Sequence, residues 1–125
     1  MSTVYVGPIQ ALGLYDKLVG VAFPQLSNDP FLQELVAAGT VKSVQSGSGL
    51  DLESVMMLKP DLILTFATDE TTFDTHTQFD RAKLPAVLTS GYMEADPLAR
   101  SEWIKVIGAF AQKETEADQV FSEIA

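Results

Sequence analysis

The chain has 125 residues, 46% of them hydrophobic and 20% charged, a balance that suits a folded domain of common size and argues against disorder. Seventeen acidic residues against eight basic ones leave a net charge of −9, which argues against nucleic acid and against an anionic membrane surface as partners. Cysteine is absent, which excludes disulfides and thiolate metal sites, and no apolar run approaches the ~20 residues of a membrane span.

From the start, Val4, Val6, Ile9 and Leu12 predict a helix, with Pro8 admissible in its first turn and Gly13 as its stop. Residues 18–22, Leu-Val-Gly-Val-Ala, read as a strand, and residues 23–30 as a loop rich in Pro, Ser, Asn and Asp. Asp29-Pro30 reads as a cap followed by proline at the first helical position. Phe31, Leu32, Leu35 and Val36 form the apolar stripe of that helix, and Gly39 ends it. Residues 40–44 are a short strand or an extended link. Residues 45–50, Gln-Ser-Gly-Ser-Gly-Leu, form a small-residue loop entering a helix. Such a loop is either an ordinary turn or a set of amides offered to an anion. It lacks the Gly-Lys-Ser/Thr ending of a phosphate loop.

The stretch 51–65 is the organising one. Asp51 can cap a helix, and Glu53 falls in the first turn, where the helix dipole favours negative charge. Leu52, Val55, Met56 and Lys59 share one face, and Pro60 drives Lys59 out of helical geometry. Leu62-Ile63-Leu64 shows no polar alternation, which predicts a strand covered on both faces, as in a parallel sheet. Residues 66–72 then form a loop and helix entry, residues 83–85 a turn, and residues 86–89 a further apolar strand. His76 is the single histidine, with Asp69, Glu70, Asp74 and Asp80 near it in sequence. Transition-metal sites recruit several strong ligands, so a solvated acidic helix face is expected there, with no metal and no cofactor. Asp96-Pro97 repeats the cap signal. Trp103, Val106, Ile107 and Phe110 form the stripe of the next helix, which predicts Trp103 in the core. The pattern breaks over residues 113–116 and restarts at Ala117, Val120, Phe121 and Ile124.

Strands alternate with helices, so the expected class is α/β: a doubly wound three-layer sandwich with a mostly parallel sheet of about four strands. Residues 18–22, 62–65 and 86–89 are expected as parallel neighbours in it. Ligands of such sheets bind beyond the carboxyl ends of the strands. That rule makes Ser2, Thr3, Phe23, Gly47, Ser48, Gly49, Phe66 and Tyr92 the candidate ligand-binding positions.

Two segments carry a family resemblance. The run from Asp51 to Leu64 resembles the NLE-x-(I/V)-x-x-LKPDL(I/V)(I/L) segment of periplasmic substrate-binding proteins of ABC importers for ferric siderophores, haem and cobalamin. Residues 11–21, Ala-Leu-Gly-Leu-Tyr-Asp-Lys-Leu-Val-Gly-Val, look like that family's ALG-x-x-D-(R/K)-(I/L)-VGV. Residues 97–105 are similar to the PLGRAEWIK run of one branch. The resemblance implies that residues 1–125 are the N-terminal lobe of a two-lobed, Rossmann-like binding protein. A leader and first strand would then precede Met1, and a second lobe would follow Ala125. The implied partners are a metal chelate (siderophore, haem or corrinoid) and an ABC permease, and the implied location is periplasmic or cell-surface-anchored. The family places a ligand-facing loop at residues 45–50, often with an aromatic; small residues here would leave room for a bulky ligand or mean a weaker contact. The several histidines of zinc and manganese relatives are missing. The glutamate of the NLE segment docks on permease arginines in the family, and the matching residue is Glu53, with Asp51 in place of the usual Asn. The lobe alone is expected to expose the stripe at Val120, Phe121 and Ile124 and thereby to self-associate.

Two other readings stand beside this one. A small doubly wound enzyme domain would hold a phosphate or nucleotide on the loop at Ser46–Gly49, but there is no nucleophile elbow, no cysteine and no phosphate-loop lysine. An interaction domain with a vestigial cleft is the third.

Overall fold

A computed structural model of the chain describes residues 3–66 and 75–125. Its contacts gather into two compact units, the first comprising Met1–Val6 and Leu18–Thr89, the second Gly7–Lys17 and Ser90–Ala125.

The first unit is built from two strand–helix–strand motifs. Strand β1 (Gly20–Val21) runs parallel to β2 (Lys42–Ser43), with helix α2 (Pro30–Ala37) between them in sequence. Strand β5 (Ile63–Phe66) runs parallel to β6 (Ala86–Thr89), in the register Ile63↔Ala86 to Phe66↔Thr89, with helix α4 (His76–Arg81) between them. The two motifs are joined by an antiparallel hairpin, β3 (Gln45–Ser46) with β4 (Gly49–Leu50), and by helix α3 (Leu52–Leu58). The α/β class and the parallel pairing are as the sequence implies. The expected ladder is shorter and divided: among the described residues β1 bonds to β2, β5 to β6, and the sheets have two strands each. Strand β1 is short because Phe23 turns into the left-handed region (φ 53°) and Pro24 begins a 3₁₀ turn, leaving little extended backbone to pair.

The local signals hold where they are chemical. Asp29 accepts from the amides of Phe31 (2.9 Å) and Leu32 (3.5 Å), with Pro30 at the first helical position. Lys59 sits in the left-handed conformation (φ 48°) directly before Pro60 and closes α3. The buried face of α3 differs from the expected stripe. Val55 is buried with Val44, Ile63 and Phe79, and Leu52 and Leu58 pack against that cluster. Met56 is half exposed. The core lies on the Leu52–Val55–Leu58 line because strand β5 and helix α4 stand on that side. Phe31 likewise lies half exposed, while Leu32 is fully buried with Val21 and Val41.

The second unit is helical. Helix α1 (Val6–Ala11) contributes all but its first residue, followed by α5 (Pro97–Glu102), α6 (Ile104–Phe110) and α7 (Glu114–Ile124). Ile9, Leu12, Leu14, Ile104, Ile107 and Ala117 are its buried side chains. The expected stripe from Trp103 to Phe110 is shifted by one position. Helix α5 ends and α6 begins at Trp103, so Ile104, Ile107 and Gly108 turn inward while Phe110 is half exposed. The α6–α7 turn pivots on Gln112 (φ 56°). On α7, Ala117 is fully buried, Val120 and Phe121 are half covered, and only Ile124 of the stripe is exposed. Phe121 is covered because Lys105 Nζ lies 4.2 Å over its ring.

Candidate ligand-binding site

At the carboxyl end of β1 the candidate Phe23 opens a loop that α2 holds in place. Gln33 Nε2 donates to the carbonyls of Pro24 (2.7 Å) and Ser27 (2.9 Å). From this loop Gln25 Nε2 donates to Gln45 Oε1 at 2.9 Å, and Gln45 Nε2 in turn donates to the Gly47 carbonyl at 2.9 Å. The loop that Phe23 opens is therefore tied, through Gln25 and Gln45, to the hairpin of Gly47, Ser48 and Gly49. The hairpin reverses at Gly47 (φ 57°), and Gly47, Ser48 and Gly49 are all exposed. Residues 45–50, expected as an ordinary turn or as amides offered to an anion, form a two-residue hairpin in the register Gln45↔Leu50 and Ser46↔Gly49.

At the carboxyl ends of β5 and β6 lies a buried hydroxyl network. Tyr5 Oη donates to the Thr65 carbonyl at 2.8 Å and shares a hydrogen bond with Thr89 Oγ1. Thr89 Oγ1 also lies 3.4 Å from the Thr65 carbonyl oxygen, and Thr65 Oγ1 pairs with Thr75 Oγ1 at 3.2 Å. Tyr5, Thr65 and Thr89 are each buried. Through Tyr5 the 3₁₀ turn Thr3–Tyr5 is tied to the sheet end at which Phe66 terminates β5. Thr3 and Phe66, both half-buried, are thus held at one end of the same strand pair. Ser2 lies outside the described residues. The network escaped the reading of the sequence. Its one signal was a threonine closing each of two otherwise apolar strands, Ile-Leu-Thr and Val-Leu-Thr.

Helix α3 begins with an occupied N-terminus. Asp51 Oδ1 accepts from the Ser54 amide at 3.1 Å, and Asp51 Oδ2 accepts from the Ser54 hydroxyl at 2.6 Å. The Ser54 hydroxyl, and after it the Ser54 amide, hold the Asp51 carboxyl below its ordinary pKa. A carboxylate stands where a phosphate would have to bind, and the hairpin before it is paired. The phosphate-loop reading thereby loses its chemistry. Glu53 is exposed in the first turn, with its charge turned to solvent.

In the second unit, Tyr92 lies in the 3₁₀ turn Gly91–Met93 and is 41% exposed. Of the acidic positions around His76, Asp69, Glu70 and Asp74 lie outside the described residues. Asp80 is exposed on α4, and among the described residues no group of three or more His, Asp or Glu could hold a metal. A surface depression lined by His76, Asp80, Arg81 and Leu84 reaches Ala86, which begins β6. It therefore lies toward the amino end of the strand, away from the candidates of this unit.

Comparison with known proteins places this arrangement. Among solved structures, the chain is similar to a periplasmic haem-binding protein from Pseudomonas aeruginosa, with TM-score 0.69 and 21% identity over 94% of this chain and 38% of that one. It is also similar to an iron uptake ABC transporter substrate-binding protein from Streptococcus pneumoniae, with TM-score 0.64 and 26% identity over 93% of this chain and 39% of that one. A curated relative, an uncharacterized lipoprotein from Methanocaldococcus jannaschii, is 27% identical over 96 residues, which are 74% of this chain and 22% of that protein. The chain thus spans well under half the length of the relatives it matches. The family model described as periplasmic binding protein matches residues 1–125, and the chain belongs to that family.

Proposed function

We propose that this chain forms the N-terminal lobe of the substrate-binding component of an ABC importer, one that captures a ferric siderophore, haem or corrinoid and delivers it to the permease. The observation that carries the reading is the family match across residues 1–125. The named activities of the P. aeruginosa and S. pneumoniae relatives, haem binding and iron uptake, support the ligand class. The lobe does no chemistry; it supplies ligand contacts and a docking surface. The contacts are assigned to Thr3, Phe23, Gly47, Ser48, Gly49 and Phe66 of the first unit and to Tyr92 of the second, with Ser2 as a further position. Docking is assigned to Glu53, whose exposed carboxylate suits bidentate pairing with a permease arginine. The family and the M. jannaschii lipoprotein support an extracytoplasmic location, in the periplasm or anchored to the cell surface.

The test is a titration of the complete protein with haemin, a ferric hydroxamate siderophore and cyanocobalamin, beside ATP and inorganic phosphate. One metal chelate is expected to bind tightly and the phosphates not at all. Binding of ATP or phosphate with none of the chelates retained would reject the transport reading.

A further inference from the structure

Among the described residues no sulfur lies in the core. Cysteine is absent from the sequence, and three of its four methionines fall within the described residues. All three lie at the surface: Met56 is 50%, Met93 65% and Met57 76% exposed. Methionine is ordinarily among the buried residue types, yet here aliphatic and aromatic side chains fill the interior in its place. Two of the three stand together on helix α3. That helix turns Val55 to the core, with Leu52 and Leu58 packed against the same cluster, and leaves Glu53, Met56 and Met57 outside. Met56 and Met57 follow Glu53 by three and four residues, the spacings at which side chains on a helix are neighbours. The carboxylate to which docking is assigned is thus bordered by two thioethers one turn further on. The helix itself has no need of them, because glutamine or lysine at an exposed position has a propensity close to that of methionine.

We infer that Met57 is a sulfoxidation site and that its oxidation weakens docking at Glu53. This rests on the docking reading above and adds a regulation to it. In a chain without cysteine the thioethers are the softest nucleophiles, and hydrogen peroxide is the oxidant. The sulfur lone pair attacks one peroxide oxygen, the O–O bond breaks, the sulfur is oxidised to the sulfoxide, and the peroxide is reduced to water. The fold is spared, because the sulfur takes no part in the core. The docked state is not spared. An apolar side chain that a partner could cover freely becomes a polar one whose oxygen must give up water to be covered. If Glu53 faces the permease, Met57 on the same face is open to peroxide in the free protein and shielded in the docked one, so oxidation and docking oppose each other. Met93 has comparable exposure but lies in the second unit, apart from Glu53 in the chain.

The test is limited peroxide treatment of the complete protein, quenched with catalase. It is read by peptide mapping, by thermal unfolding and by association with the ABC permease in nanodiscs. Met57 is expected to oxidise about twofold faster than Met56, in line with its greater exposure, and the thermal midpoint to stay nearly unchanged. Association is expected to weaken about fivefold and to recover with methionine sulfoxide reductases and a thiol reductant. Met57→Leu keeps an apolar side chain without the sulfur, so its association, whatever the starting level, is expected to hold that level after peroxide. An unmodified Met57 beside a fully oxidised Met93 overturns the inference. So does a loss in Met57→Leu equal to that of wild type, or a large fall in the thermal midpoint. Glu53→Arg in the same assay separates the two readings. Weakened association in Glu53→Arg with none in the oxidised protein overturns the inference alone. Unchanged association in Glu53→Arg overturns the docking reading, and the regulation with it.

Discussion

Replacing Tyr5 by Phe removes one hydroxyl from two buried partners, the Thr65 carbonyl and Thr89 Oγ1. The cost of leaving buried polar groups unpaired is about 1–3 kcal/mol, softened here by the remaining 3.4 Å contact from Thr89 Oγ1 to the Thr65 carbonyl. Urea unfolding of Tyr5→Phe is expected to show a loss in that range; an unchanged midpoint would mean that the network contributes nothing net. Glu53 belongs to a different kind of test, because it touches no ligand contact. In the complete protein Glu53→Arg is expected to leave chelate affinity nearly unchanged while uptake falls, since like charges would then face each other at the permease. Ligand affinity beside uptake rate decides it, and normal uptake would remove Glu53 from the docking surface. Two carboxyls also set an acid limit. The Ser54 hydroxyl lowers the pKa of Asp51, and the Lys113 ammonium, first by its hydrogen bond, lowers that of Glu116. Both titrate lower in the fold than in the unfolded chain, so their contribution is present above the ordinary carboxylate pKa of about 4 and fades as pH falls through the folded values. The thermal midpoint is expected to hold from neutral pH to about 5 and to drop in stronger acid, less steeply in Asp51→Asn. Equal acid profiles for wild type and Asp51→Asn would dismiss the cap as a source.

Among the elements, the α6–α7 pair is the most closely packed in the second unit. A Cβ on Gly108 would stand 2.5 Å from the Ala117 Cβ and 2.9 Å from the Lys113 carbonyl oxygen, the second of which is backbone and cannot yield. Lys113 donates its amide to the Gly108 carbonyl at 2.7 Å, closing the turn against the same residue. Around this contact, Lys105 pairs with Glu102 at 3.2 Å and with Asp118 at 3.6 Å, in half-exposed geometry that contributes little by itself. Close packing of the helices is therefore the main term. Gly108→Ala is expected to destabilise by about 1–3 kcal/mol, the usual range for overpacking, and Ala117→Gly in the same chain should restore part of it. Differential scanning calorimetry of the single and double variants measures this; full tolerance of the alanine would show that the helices part freely. The contrast with α3 is informative. Its exposed side carries Glu53, Met56 and Met57, so the helix uses one face for the core and leaves the other as surface.

For the whole molecule, what matters is apolar surface left to solvent. Among the described residues, Met57 (76%), Leu26 (71%) and Met93 (65%) are the most exposed of the large apolar side chains. Exposed apolar surface of this kind favours association, so the chain by itself is expected to self-associate at high concentration. Sedimentation velocity over a concentration series checks this, and a strict monomer throughout would set it aside. The α7 stripe has a smaller part in such association than its sequence suggests, because Val120 and Phe121 are half covered and Ile124 alone is exposed.

By itself the sequence determined what depends on a few neighbouring residues. Asp29, Asp51 and Asp96 cap the helices they precede, Pro60 ends α3, and apolar runs become strands, because caps, proline sterics and periodicity act within about one helical turn. Those local signals in order also carried the family, since Leu-Lys-Pro-Asp-Leu is a helix end and a buried strand spelled in one line. The tertiary structure decided what depends on residues far apart. Tyr5 meets Thr65 and Thr89 across 60 and 84 positions of chain, and no period in the sequence links them. Which face of α3 is buried followed from where β5 and α4 stand, since Met56 and Leu58 are equally apolar and only neighbours choose between them. The small residues at 45–50 were legible as a turn, but the ladder of Gln45 with Leu50 was not, because a two-residue hairpin and an open loop share the same glycines and serine. Trp103 was read as core from its spacing; the break between α5 and α6 placed it instead under Gly91, a role that only the fold could assign.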